Sequence, residues 1–205
     1  MNLSNRDQQI LVVLSKWRFL LSRHIEILCV FSSSRTMYRR LKILIAHKLI
    51  EKQKILYGVP SIYTLAHRGL LYMGLNKRKD RIRIDTIRHD IAVIDTLIYL
   101  MKRKIIDSID SVTSEKELNR KKGFGDRRHQ PDFIFNKDGK SYALEVELSI
   151  KSMERLEKNI KNNFMNYDHQ IWVVEKNSKI EKNIKMLTGK YGELSIFYLE
   201  EVRTN

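Results

Sequence analysis

The sequence predicts a mixed α/β protein built as two domains, residues 1–79 and 80–205. Three observations carry this reading. Charge is unevenly placed: residues 1–79 hold 15 Lys/Arg against 3 Asp/Glu, so +12 of the net +15 lies there. That same stretch reads as three amphipathic helices followed by a hairpin. From Ile84 onward the order is helix, strand, strand, strand, helix, strand, helix, strand, which suits an α/β unit with a mixed sheet. A hydrophobic content of 42% supports a core, and only 2 Pro and 8 Gly argue against a long disordered linker.

In the first domain, Ile10, Leu11, Leu14 and Trp17 recur at the spacing of one helical face. Ser22 suits the N-cap of a second helix through Val30. Ser32-Ser33-Ser34 breaks the pattern and caps a third helix, about Arg35 to Lys48, with Met37, Leu41, Leu44 and Ile45 facing inward. Leu49–Gln53 and Ser61–Leu65 read as paired strands around a turn at Tyr57-Gly58-Val59-Pro60, and His67-Arg68-Gly69 opens a fourth short helix. Over about residues 5–75 this order resembles the winged helix-turn-helix class of bacterial DNA-binding proteins. The resemblance implies that the third helix enters the major groove of double-stranded DNA and that the wing lies at the phosphate backbone. Arg35, Thr36, Tyr38 and Arg39 are then expected at bases or phosphates, and Arg40, Lys42, Lys52 and Lys54 at phosphates. The blander alternatives are a basic helical hairpin that solubilises the chain, or a winged helix used for protein contacts.

Lys77-Arg78-Lys79-Asp80 forms a charged connector to the second domain. A helix from Ile84 to Lys104 follows, with a buried stripe of Ile87, Ile91, Ile94, Leu97, Ile98 and Met101; His89 beside it reads as a packing residue. Ile105–Leu118 is expected as a strand or bent pair of strands, and Asn119–His129 as a basic loop containing Gly123 and Gly125. Gln130-Pro131-Asp132 then opens the run Phe133-Ile134-Phe135, Asn136–Gly139 turns the chain, and Tyr142–Leu148 alternates so that Glu145 and Glu147 share the polar face. Symmetric pairing about that turn puts Asp132 opposite Ala143 and diagonal to Glu145, with the three carboxylates within roughly 7–8 Å. Like charges that close need a cation, a proton or a basic neighbour. Oxygen ligands of this kind suit Mg2+ or Mn2+, and magnesium serves phosphoryl chemistry. The alternative is a solvated strand face offset by Lys151 and Arg128. A helix from Ile150 to Asn166, with Met153, Leu156, Ile160 and Phe164 inward, a strand at Ile171–Val174, a helix at Lys179–Leu187 and a strand at Leu194–Leu199 complete the chain.

This second half resembles the restriction-endonuclease-like superfamily, whose motif is Pro-Asp, a gap, then Asp/Glu-x-Lys on the next strand. The resemblance implies Asp132 and Glu145 as metal ligands. Glu147 stands where the lysine belongs and would act as an extra ligand or general base, with Lys151 supplying the missing charge and Glu115 a weaker further acid. A broader set covers most of the chain: Arg88-His89-Asp90-Ile91, Glu115-Lys116-Glu117-Leu118, Arg128-His129-Gln130-Pro131-Asp132, Glu145-Val146-Glu147-Leu148 and Lys151-Ser152. In this order they resemble the replication-relaxation family of plasmids and integrative elements, which implies control of plasmid replication or conjugative mobilisation. Two functions follow: a non-catalytic DNA-binding regulator with a degenerate nuclease-like half, or a metal-dependent endonuclease targeted by its winged helix. The missing lysine favours the first.

The single Cys29 forms no internal disulfide and fits a reducing cytoplasm. No apolar run reaches membrane-spanning length, and Asn2–Gln9 is too polar for a signal peptide, so no membrane partner is expected. A P-loop, a dinucleotide glycine pattern, a cysteine pair for zinc and a Gly-x-Ser-x-Gly elbow are all missing from the sequence. Expected partners are double-stranded DNA, a second copy of the chain, and other replication or mobilisation proteins.

Overall fold

The computed structural model describes residues 3–55, 57–58, 60–75, 80–122, 128–192 and 194–203. Val59 of the expected turn, residues 77–79 of the connector, and Gly123 and Gly125 lie outside them. The chain divides into two compact units, Met1–Ile94 and Asp95–Asn205.

The first unit opens with α1 (Asn5–Lys16), started by a reciprocal capping box between Ser4 and Asp7. A two-residue strand, β1 (Leu20–Leu21), runs directly into α2 (Ser22–Leu28). Ser22 is therefore the first helical residue and not its cap; Leu21 holds the cap position, its N–H donating to His24 Nδ1 at 3.2 Å. Then come α3 (Ser34–Ala46), the hairpin strands β2 (Ile50–Gln53) and β3 (Ile62–Leu65), and α4 (His67–Tyr72). The sheet is antiparallel in the order β1-β3-β2, with Leu20 across from Tyr63 and Ile50 across from Leu65. Ile10, Leu11 and Leu14 of α1, Ile25 of α2, and Met37, Leu41 and Leu44 of α3 are buried, each worth roughly 1.5–3 kcal/mol of hydrophobic transfer. Gly69 in α4 lies so close to the preceding loop that a Cβ there would stand 2.0 Å from the Leu49 carbonyl oxygen. Only a glycine lets the two backbones approach that far.

The division between the two units falls inside the next helix, α5 (Ile87–Lys102). The reason is packing: Ile87 is buried with Phe19, Leu21 and Ile62, and Ile82 and Ile91 lean on the same cluster. Arg18 reinforces this with an ion pair to Asp90 at 3.1 Å.

The second unit is a five-stranded sheet in the order β4-β5-β6-β7-β8, comprising β4 (Val112–Ser114), β5 (Phe133–Lys137), β6 (Lys140–Glu147), β7 (His169–Val174) and β8 (Leu194–Tyr198). The first three strands are antiparallel; β7 and β8 join in parallel, giving the expected mixed sheet. The helices are α6 (Glu115–Lys121), α7 (Met153–Asn166), α8 (Lys179–Leu187) and α9 (Leu199–Arg203). Leu156 and Ile160 of α7 pack with Ile180, Ile184 and Leu187 of α8 over Trp172 and Val174. The apolar run from Ile171 to Val174 is buried throughout, as its unbroken apolar character requires, and the polar Gln170 before it is buried too.

Three expectations change here. The stretch from Ile105 to Leu118 is not one strand: a short 3-10 turn at Ile109–Ser111 leads to three strand residues, and the capping box of Ser114 with Glu117 starts α6 at once. The hairpin turn is a two-residue one at Asp138-Gly139, with φ of 51° and 74°. Two positive φ values define the type I′ turn that matches strand twist. It pairs Lys137 with Lys140 and Phe133 with Leu144, two residues away from symmetric pairing about Asn136–Gly139. Finally, the buried stripe of α7 is Leu156, Asn159, Ile160 and Asn163, while Met153 and Phe164 are 37% and 50% exposed.

Candidate functional site

In the first unit the side chains of α3 sort cleanly by face. Met37, Leu41 and Leu44 are buried, while Arg35, Tyr38, Arg39 and Lys42 are exposed and Thr36 is half-buried. Positions 35, 38, 39 and 42 repeat at three or four residues, so they form one stripe about 10 Å long at 1.5 Å per residue. The helix contains no acidic residue. Its start is held by Ser34, whose hydroxyl donates to Glu26 of α2, and Tyr38 Oη donates to Ser22 Oγ at 3.3 Å. Lys52 and Lys54 are exposed on the hairpin.

Arg40 behaves differently from its expected place among phosphate contacts. It turns inward, its Nε 2.8 Å from Asp7 Oδ1 and its Nη2 on Asp7 Oδ2. Asp7 is fully buried and also accepts from the Ser4 N–H and hydroxyl at 2.8 and 2.9 Å. Burial pushes the Asp7 carboxyl up, but Arg40 and Ser4 outweigh it and hold the group below the usual carboxylate range. Arg40 thus fastens α3 to α1. The Ser-x-x-Asp spacing of the capping box was readable in the sequence; its extension to Arg40 was not.

In the second unit the acids of β6 are not on a solvated face. Glu145 and Glu147 are each 4% exposed, and Glu145 meets the amide of Asn163 on α7. Glu145 Oε1 lies 2.5 Å from His129 Nε2 and accepts from Asn163 Nδ2 at 3.0 Å. Burial raises the Glu145 pKa, the His129 contact lowers it, and the nearby Asp132 charge raises it again, leaving it above the usual value. Asp132 Oδ2 accepts from the Val146 N–H at 2.7 Å, and its own N–H donates to the Leu144 carbonyl at 3.0 Å. Glu147 forms an ion pair with Lys151 and accepts from the Ser149 N–H at 3.4 Å and hydroxyl at 3.3 Å. Glu115 starts α6, its N–H donating to the Asp132 carbonyl at 2.8 Å, so its backbone adjoins the motif from a helix and not from a strand. His129 and Asn163 are the neighbours that sequence reasoning did not place.

Each acid of β6 has a partner from the chain itself, His129 and Asn163 for Glu145 and Lys151 for Glu147. Asn163 Oδ1, Asn159 Nδ2 and Gln170 Nε2 are buried without a hydrogen-bond partner among the described residues. Magnesium takes six oxygen ligands in near-octahedral geometry. Among the described residues no three His, Cys, Asp or Glu side chains come together as a set for a metal ion. As arranged, Glu145 faces His129 and an amide, and Glu147 faces an ammonium, so the donor set does not fit a hard cation without repacking.

No curated protein matches the chain. No helix among the described residues is long and apolar enough to cross a membrane. The replication-relaxation family model matches residues 11–171, spanning α1 through the start of β7 and both candidate sites, and the chain belongs to that family.

Proposed function

We propose that the protein is a DNA-binding regulator of plasmid replication or mobilisation, with a nuclease-like second unit that has lost its catalytic arrangement. Membership of the replication-relaxation family supports the general role. The observation that carries DNA binding is the exposed stripe of α3, three cations and one tyrosine with no acid on the helix. Its length of about 10 Å suits a major groove roughly 12 Å wide. Arg35 and Tyr38, with Arg39 and Thr36, are the base-proximal candidates, and Lys42, Lys52 and Lys54 serve phosphates. The pairing of Glu145 with His129 and Glu147 with Lys151 supports the non-catalytic reading, because neither acid is free to hold a nucleophile or a metal.

The test is equilibrium binding of the full chain to a 30-base-pair duplex across 50–200 mM salt. The log–log slope is expected to fall by about 0.9 for each phosphate-contacting lysine removed. Affinity that hardly changes with salt would refute DNA binding through this surface. The endonuclease reading has one observation in its favour: Asp132 and Glu145 are close enough for one charge to raise the other's pKa. Supercoiled DNA incubated with Mn2+ decides it, since cleavage that disappears in Asp132→Asn would make the protein an enzyme.

A further inference from the structure

The hairpin loop between β2 and β3 carries a side chain that the major-groove reading does not use. Tyr57 is 99% exposed, more than any other large apolar side chain among the described residues. Aromatic rings are ordinarily a folded protein's most valuable burial, so a ring held wholly in water forgoes that contribution. The ring sits at a turn, followed by Gly58 at φ +77°. The Lys54 ammonium lies 5.8 Å from its centroid, and Lys52 is exposed on the adjoining strand. An aromatic ring in water with one cation beside it and another on the same hairpin matches one ligand chemistry well, a nucleobase face beside its phosphates.

We infer that Tyr57 is a base-stacking site at the tip of the wing, which reaches past the phosphate backbone to a nucleobase face. This rests on the DNA-binding reading above and adds a contact to it. Lys52 and Lys54 hold the flanking phosphates while the ring takes a base. That base comes either from a duplex step opened by a wedged side chain or from an unpaired nucleotide.

The experiment uses the full chain, a duplex chosen by selection, and the same duplex carrying a two-base mismatch bubble. Affinities are measured for wild type, Tyr57→Ala, Tyr57→Phe and Lys52→Ala. Tyr57→Ala is expected to lose roughly 5- to 150-fold, the range of one base-stacking contact, and Tyr57→Phe to stay close to wild type. Loss on both DNAs identifies a wedged duplex step; loss on the bubble alone identifies an unpaired base. Tyr57→Ala binding both DNAs within twofold of wild type, while Lys52→Ala binds more weakly, overturns the stacking site and leaves DNA binding standing. Equal loss in Tyr57→Phe and Tyr57→Ala overturns it too, by assigning the effect to the hydroxyl. Failure of the wild type to bind either DNA overturns the DNA-binding reading and this site with it.

Discussion

Arg40 lies in the most basic helix of the chain, yet its substitution should act on folding and not on DNA. Its guanidinium makes a two-point contact with a carboxylate that is fully buried, while 21% of its own side chain stays exposed. Removing one partner of a buried pair costs about 3–5 kcal/mol when the remaining charge is left alone. Here Asp7 keeps two bonds from Ser4, at 2.8 and 2.9 Å, so the loss should be smaller, about 2–3 kcal/mol for Arg40→Ala. The pH dependence follows from the depressed Asp7 pKa. Stability from such a group is fully present above the unfolded value of about 3.9 and is lost as pH falls through the lower folded value. Urea unfolding of wild type and Arg40→Ala should therefore differ most at neutral pH and converge toward pH 2. In a double-mutant cycle, Asp7→Asn should remove most of the penalty of Arg40→Ala. The folded fraction of Arg40→Ala should bind DNA with an unchanged salt slope, whereas Lys42→Ala should keep its stability and lower the slope by about 0.9. A penalty that persists unchanged at low pH, or a lowered slope in Arg40→Ala, would show that the ion pair is not what this residue does.

Gly69→Ala should destabilise the first unit by about 1–3 kcal/mol, because its new Cβ meets the Leu49 carbonyl and backbone must move; a melting temperature equal to wild type would contradict the close approach. Glu145 has a raised folded pKa, so its contribution to stability falls as pH rises from 4.5 into the raised range; Glu145→Gln should flatten that part of the stability–pH profile. Arg35→Ala should reduce discrimination between a selected and a random duplex by about 1–3 kcal/mol, whereas Lys52→Ala should weaken both alike, as competition binding would show.

Much of this was legible because it follows from periodicity. The exposed stripe of α3 follows from the spacing of Met37, Leu41 and Leu44, which fixes the opposite face, and Glu145 and Glu147 share a strand face by alternation alone. What escaped depends on contacts between distant segments. Arg40 looks like its neighbour Arg39 in sequence, and only the approach of α1, 33 residues away, turns it inward. The hairpin register hinged on which two of four turn-forming residues take positive φ, and Asp138-Gly139 carried that signal more clearly than the four-residue reading allowed. Asn159 and Asn163 sit on the buried side of α7 where the apolar Met153 and Phe164 were expected, and for Asn163 that choice makes sense only once its bond to Glu145 is known. Burial of the acids was equally hidden, since an alternating strand looks the same whether its polar side meets water or a helix.

The ion pair between Glu147 and Lys151 constrains how such a sequence can change. Restoring a lysine on the strand by Glu147→Lys alone would place a second ammonium in a 4% exposed position already facing Lys151, with the partner carboxylate gone. Losing Lys151 alone would strand a buried carboxylate, which is costly by the same reasoning. The two positions are therefore epistatic: either single step leaves a like-charge contact or an unpaired buried charge, and a paired exchange between the end of β6 and the segment leading into α7 avoids both. A library that varies positions 147 and 151 together should therefore find folded variants that one-at-a-time scanning misses.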